Sequence, residues 1–254
     1  MKTNWDYTSL ADAYLKRPDY SDHAINAMLS IAEVEEGNNV CDIGAGVAHL
    51  TLMLASKGLE ITAVEPNDAM RANGIKRTAK FNNVNWFEGT GEANGQSSNA
   101  FELVTFGSSF NVCDRQVALK ETARILKPSG WFACMWNHRD LNDPIQESIE
   151  NIIKSKVPEY GYGVRREDQS SEINKSELFN PVIQLNSKII HYQGIDECLE
   201  AWRSHGTLQR QAKNKFNEVI SSIGEYLNNL SDTIKINNKI EIPYKTNIWI
   251  AQLK

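Results

Sequence analysis

The residues able to do chemistry gather in a few short stretches. "VCDIGAGVAHL", residues 40–50, sets Asp42 ahead of Gly44 and Gly46 and runs on into apolar helical residues. That order predicts a strand turning sharply over a ligand, or a tight corner in which the glycines supply only backbone angles. A second acid, Glu65, closes the next apolar run in "ITAVEPNDAM". A carboxylate there accepts both hydroxyls of a ribose and repels a 2′-phosphate. A dinucleotide fingerprint would need a third glycine where His49 stands, so phosphate cradling is the poorer expectation. Further along, "MWNHRDLNDP" offers His138 as a base and Arg139 as an anion clamp; the plainer reading is a polar loop bonding its own backbone. "YGYGVRRED" and "EAWRSHGTLQRQ" interleave Arg165, Arg166, Arg203, His205 and Arg210 with Tyr160, Tyr162 and Trp202. Flat apolar faces beside guanidinium forks suit a small planar or anionic molecule. Arg203 and Arg210 equally fit an exposed helix face paired with Glu200 and its neighbours.

The elements that must carry these residues follow from periodicity. From residue 21 to about 137, helical spacing alternates with short apolar runs. "SDHAINAMLSIAEV" reads as a capped helix, "VCDIG" as a strand, "HLTLMLASKG" as a helix and "EITAVE" as a strand. "NDAMRANGIKRTA" is helical, "NVNWFEG" and "FELVTFG" are strands, "DRQVALKETARIL" is a helix, "KPSG" a turn and "WFACMWN" a fifth strand. Strands separated by helices predict a parallel, doubly wound α/β sheet. Beyond 137, "DPIQESIENIIKSKVPEY" reads as a long helix, "NSKIIHYQ" as a sixth strand and "IEIPYKTNIWIAQL" as a seventh, with helical stretches between. The expected organisation is a core over 1–137, a helical cap over 138–235 interleaved with strand six, and a closing strand within 236–254.

Composition narrows the function. The chain has 254 residues and net charge −5, with 27 basic against 32 acidic residues. No basic run marks a nucleic-acid footprint, so no nucleic-acid partner is expected. The N-terminus lacks a signal-peptide core and no window is apolar enough for a membrane helix, making cytoplasm the expected location and no membrane the expected partner. Four cysteines stand far apart without a C-x-x-C, which predicts reduced, buried thiols. His138 and Asp140 have no evident companions, so no metal is expected.

"VCDIGAGVAHL", "VEPNDAM", "EGTGEA", "FELVTFGSSF" and "ETARILKPSGWF" follow one another in an order and spacing that resembles the class I S-adenosylmethionine-dependent methyltransferases, over residues 7–137. The resemblance implies a Rossmann-like, mostly parallel seven-stranded sheet, S-adenosyl-L-methionine as cofactor, and methyl transfer to oxygen or nitrogen of a small-molecule acceptor, anionic or aromatic. It departs from the family's D-x-G-x-G-x-G at Ala48. It implies that Gly44, Ala45 and Gly46 pass beneath the cofactor's methionine part, that Asp42 orders the turn and that Glu65 holds the ribose. Pro66 and Met70 would pack on adenine, although Met70 also suits plain helix packing. Within "EGTGEA", which holds Thr90, Gly91 and Glu92, the adenine amino group meets Thr90, Glu92 or a backbone carbonyl. "WDYTSLADAYLKRPDY" resembles the lid of small-molecule methyltransferases, with Tyr7, Tyr14 and Arg17 closing over substrate or simply packing. Arg166 and Arg203 would bind the acceptor, with His138, Arg139 and His205 at the reacting end. Two other classes stand beside this one. A non-catalytic partner subunit has little reason to keep Asp42, Glu65 and both glycines. An RNA or protein methyltransferase would show a basic extension or an Asn/Asp-Pro-Pro-Tyr-type motif where this chain reads "FGSSFNVCD".

Overall fold

The computed structural model describes residues 7–230 and 239–254. Seven strands, β1 (Asn39–Ile43), β2 (Glu60–Val64), β3 (Val84–Phe87), β4 (Phe101–Gly107), β5 (Leu126–Arg139), β6 (Ile183–Gln193) and β7 (Ile240–Gln252), form one sheet in the order β3-β2-β1-β4-β5-β7-β6. β1 to β5 run parallel, and β7 lies antiparallel to both β5 and β6. This is the doubly wound, mostly parallel sheet that the strand and helix alternation predicts, with its topological switch between β1 and β4.

The helices are α1 (Ala11–Tyr14), α2 (Asp22–Ile31), α3 (His49–Ala55), α4 (Asp68–Thr78), α5 (Arg115–Ile125), α6 (Pro144–Lys156), α7 (Ser170–Lys175), α8 (Ile195–Arg203), α9 (Gly206–Ala212) and α10 (Phe216–Asn228). Their starts are written in the sequence. Ser21, Asn67 and Asp114 accept backbone N–H groups of the first turns of α2, α4 and α5, and Asp143 caps α6 with Pro144 in its first turn. Such caps satisfy N–H groups that the helix itself leaves open.

Apolar residues fill both faces of the sheet. Ile25, Met28 and Leu54 pack with Val40, Ile61 and Leu103 on one side; Phe106, Phe110, Phe132 and Leu119 pack on the other. A third core belongs to the cap, where Ile149, Ile153, Trp202 and Ile223 meet Ile240 and Ile242 of β7. Burying each such side chain contributes roughly 1.5–3 kcal/mol. The cap is therefore fastened to the sheet through β7 rather than hinged on a linker.

Two expectations change. "KPSG" is not a turn ahead of the fifth strand: β5 runs unbroken from Leu126, and the extra residues are absorbed as a bulge where the pairing passes from Phe101↔Leu126 to Leu103↔Trp131. The expected core–cap boundary at 137/138 falls inside β5, which pairs on to Arg139↔Tyr244. The second boundary, at 235/236, lies outside the described residues, as do Trp5 and Asp6 of the expected lid. Among the described residues no helix is long and apolar enough to cross a membrane, and no group of three or more His, Cys, Asp or Glu could hold a metal ion.

Candidate active site

The carboxyl ends of β1, β2, β4 and β5 open into one cavity of about 400 Å³, within the range of small-molecule sites. Its floor is the turn after β1. Gly44 and Gly46 have φ of +66° and +57°, and a Cβ on Gly44 would lie 2.4 Å from Ser109 Cβ. A side chain there is excluded by contact as well as by conformation. The Gly44 and Ala45 N–H groups donate to the Val64 carbonyl at 2.8 and 3.0 Å, tying the turn to β2.

Two buried acids hold this floor. Asp42 accepts the Thr51 and Thr105 hydroxyls at 2.7 and 3.0 Å, which fastens the end of β1 to α3 and β4. Glu65 accepts the Gly46 N–H at 2.8 Å and the Asn67 N–H at 2.9 Å. Burial pushes both carboxyls up to about 6, against the hydrogen bonds that favour their charged forms. Pro66, Met70, Thr90, Gly91 and Glu92 line the same end of the cavity. Thr90 also serves its own loop, accepting the Ala93 N–H at 3.2 Å, and Glu92 ties that loop to the start of α5, accepting the Asp114 N–H at 2.6 Å. Ala48, where the resembled motif has its last glycine, takes φ 72° and ψ 32° as the N-cap of α3. The position requires left-handed backbone, which alanine adopts at a cost of about 1–2 kcal/mol.

The N-terminal segment covers one side, with Tyr7, Tyr14 and Arg17 on the cavity. His49 anchors it to the core, its ring nitrogens 2.8 Å from Asp19 Oδ1 and 2.9 Å from the Tyr14 carbonyl. Arg17 anchors it to the cap, donating to the Ser204 carbonyl at 2.6 Å and to Ser204 Oγ at 3.0 Å.

The far wall is cationic. His138, Arg139, Tyr162, Arg165, Arg166 and His205 face the cavity from β5, the 163–166 turn with the residue ahead of it, and the residue before α9. The Arg139 guanidinium lies 3.9 Å over the Trp202 ring, and that of Arg166 lies 4.1 Å over Tyr162. Arg166 Nη2 donates to the Arg139 carbonyl at 3.1 Å, while Nε of both arginines is buried without a hydrogen-bond partner among the described residues. None of Arg17, Arg139, Arg165 and Arg166 forms an ion pair with a carboxylate among the described residues.

Both histidines reach the cavity, but their surroundings keep them neutral, able to donate a hydrogen bond and poorly able to take up a proton. Burial, with Arg166 and Arg165 adding to it, pushes His138 down to about 3, and the Asn247 amide lies 3.2 Å from its Nδ1. His205 caps α9: its Nδ1 accepts the Leu208 N–H at 3.2 Å, so the ring proton sits on Nε2. Burial and the surrounding arginines hold it well below the ordinary histidine range. The reading of His138 as a base thus meets an imidazole poorly able to take a proton at neutral pH. Arg203 is a plain correction. It pairs with Glu200 on the outer face of α8, their side chains 49% and 43% exposed, and it does not line the cavity. Tyr20, Ser108, Asn137 and Tyr244 line the cavity without having been singled out from the sequence. "FGSSF" carried a signal for Ser108; Tyr244 arrives only through the β5–β7 register.

Comparison with known proteins bears on this geometry. Residues 41–134 match a family model described as a methyltransferase domain. An uncharacterized methyltransferase of Schizosaccharomyces pombe is 32% identical over 58% of this chain and 58% of its own length. A demethylmenaquinone methyltransferase of Staphylococcus epidermidis is 27% identical over 60% of this chain and 65% of its own. The chain thus spans between about half and two thirds of the curated relatives it matches. The YcgJ protein of Bacillus subtilis superposes with a TM-score of 0.57 at 19% identity, covering 92% of this chain and 99% of that one. A phosphoethanolamine N-methyltransferase 2 of Haemonchus contortus, solved with S-adenosylhomocysteine, superposes with a TM-score of 0.57 at 16% identity over 97% of this chain and 57% of that one. These superpositions show a shared fold.

Proposed function

Since the chain belongs to the class I S-adenosylmethionine-dependent methyltransferase family, we propose that it transfers a methyl group from S-adenosyl-L-methionine to a small-molecule acceptor bound beneath the cap. The observation that carries this reading is one cavity with two chemically different ends. At one end lie the glycine turn and Glu65; at the other lie cap residues rich in arginine and tyrosine. The residues at the first end fit the cofactor: two glycines leave room for close approach, and a buried acid at the end of β2 suits ribose hydroxyls. Pro66 and Met70 offer apolar surface for adenine.

A sulfonium supplies an electrophilic methyl with a neutral thioether as leaving group. The protein's share is alignment and exclusion of water. Glu65 and the glycine turn would fix the donor end. Arg139, Arg166 and the Nε2–H of His205 would orient the acceptor, while the N-terminal segment, tied to core by His49 and to cap by Arg17, would close the side open to solvent. A net charge of −5 and the lack of a basic run support a small acceptor over RNA.

Calorimetry and thermal melting test the cofactor. S-adenosylmethionine or its demethylated product is expected to bind and to raise the melting temperature, and NAD to do far less. Tight NAD binding without a response to the sulfonium compound would overturn the reading. Incubation with methyl-labelled cofactor and an extract of source cells tests the acceptor class: label in a small molecule is expected, and label in RNA or protein refutes it.

A further inference from the structure

We propose that the acceptor carries at least two carboxylates and is methylated on a carboxylate oxygen, giving an ester without a general base. This rests on the methyl-transfer reading above and deepens it.

Charge is the first argument. Arg17, Arg139, Arg165 and Arg166 line one cavity with no carboxylate paired to them among the described residues. Arg17 and Arg166 act on Arg165 as like charges, and all four act so on His205. Gathering unmatched cations in a partly buried wall is unfavourable unless a ligand brings the counter-charge. The cofactor's single carboxylate matches one guanidinium at most, and its sulfonium adds a further positive charge. More than one anionic group is left to the acceptor.

Geometry gives the second. Stacking on Trp202 and Tyr162 fixes the planes of Arg139 and Arg166, and the Arg166 bond to the Arg139 carbonyl fixes their relative placement. Their buried Nε–H groups lack partners among the described residues. Guanidinium groups stacked in place and without a carboxylate partner of their own are what bidentate carboxylate binding needs. A carboxylate clamped this way is a weakened nucleophile, so a monocarboxylate would have its one reactive group tied up. A second carboxylate on the same molecule stays free to attack.

Proton chemistry gives the third. His205 accepts the Leu208 N–H at Nδ1 and carries its proton on Nε2, while His138 meets the Asn247 amide through Nδ1 and has its Nε2 buried. Burial raises the Tyr7, Tyr20 and Tyr162 phenols, and Tyr162 already donates to Glu150 at 2.5 Å. Asp42 and Glu65 are engaged at the donor end. An alcohol or ammonium acceptor would need a base that this wall lacks, whereas a carboxylate needs none. In the step itself, a carboxylate lone pair forms the new O–CH3 bond as the S–CH3 bond breaks and its electron pair passes to sulfur. The acceptor loses one negative charge, the sulfonium its positive charge, and no proton moves.

The test uses the full chain, methyl-labelled S-adenosylmethionine and a panel of aliphatic mono-, di- and tricarboxylates of four to six carbons, with phosphoethanolamine and catechol alongside. Label is expected in a di- or tricarboxylate and released as methanol by mild alkali, with kcat flat between pH 6.5 and 9. Arg139→Ala and Arg166→Ala are expected to raise the acceptor KM at least tenfold while leaving the cofactor Kd within twofold; Arg203→Ala, on the outer surface, leaves both unchanged. An alkali-stable methyl product, label confined to phosphoethanolamine or catechol, or a panel in which no di- or tricarboxylate is bound or methylated overturns the inference while cofactor binding keeps the methyltransferase reading intact. Absence of cofactor binding overturns both.

Discussion

The Glu65 carboxylate accepts the Gly46 N–H at 2.8 Å, so the acid that ends β2 and the glycine turn that follows β1 form one hydrogen-bonded unit across nineteen residues of sequence. Removing the acid therefore costs cofactor affinity twice, through the ribose hydroxyls and through the shape of the turn. Glu65→Ala is expected to weaken cofactor binding by about 1–3 kcal/mol, as for other hydrogen bonds to charged groups. The fold should persist, since Asp42 keeps β1, α3 and β4 joined. Calorimetry on folded mutant decides the matter; an unchanged dissociation constant would reduce Glu65 to a strand-end residue.

Burial makes the same unit sensitive to pH. Glu65 is raised from 4.5 to about 6, and Asp42 from 3.8 to about 6. Each folded carboxyl holds its proton more tightly than the unfolded one. The favourable contribution is thus present in full below about pH 4 and is lost as pH rises through about 6. Ribose hydroxyls bind the ionised form, so cofactor binding runs the other way. With Glu65 near 6, roughly one tenth is ionised at pH 5, and affinity is expected to be about tenfold weaker there than at pH 7. Titration at pH 6 in two buffers of different ionisation enthalpy should show protons released on binding. Proton uptake, or a pH-independent affinity, would mean that Glu65 is not the ribose acceptor.

What was legible in the sequence was local. Asp42, Gly44, Gly46 and Glu65 sit at strand ends whose apolar runs and turn residues mark them without reference to the rest of the chain. The cap was harder because helical spacing fixes which residues share a face but not which way the face points. Arg203 shows this: it stands two residues, about 200° of helix rotation, from Ala201, which lines the cavity. Tyr244 enters by register between strands more than a hundred residues apart, which no local pattern encodes. Burial sets the proton states of His138 and His205, with Arg165 and Arg166 adding to it at His138 and arginines from three elements at His205, so residue type alone suggested a base where the surroundings favour a hydrogen-bond donor.

Ala48 offers a test in which opposing terms nearly cancel. Glycine would relieve left-handed strain of about 1–2 kcal/mol. It would also lose burial of one methyl, about 0.8 kcal/mol, since Ala48 is fully buried, and it would free the unfolded chain by about 0.5–1 kcal/mol. Ala48→Gly is therefore expected to change stability by less than about 1 kcal/mol, which explains how the chain tolerates alanine here. Urea denaturation measures it. A loss well beyond that range would show that the methyl group packs the turn more tightly than its area implies.

The last expectation concerns Arg17, whose fork joins elements that are 187 residues apart. Its Nη2 donates to the Ser204 carbonyl and its Nε to Ser204 Oγ, while its face lies 3.6 Å over the Tyr14 ring. Two donors in one plane plus a stacked face are properties of guanidinium that an ammonium lacks. Arg17→Lys should therefore loosen the segment although the charge remains. The expected readouts are faster amide exchange at Leu10 and Leu15, whose N–H groups bond within this segment, and a kcat/KM at least fivefold lower. Ser204→Ala separates the contacts, because it removes the Oγ acceptor and keeps the carbonyl; it should give a smaller change in both. If Arg17→Lys left exchange and kcat/KM at wild-type values, charge alone would suffice and the fork would have no closing role. If kcat/KM fell with exchange unchanged, Arg17 would act on the bound anion directly rather than by holding the segment shut.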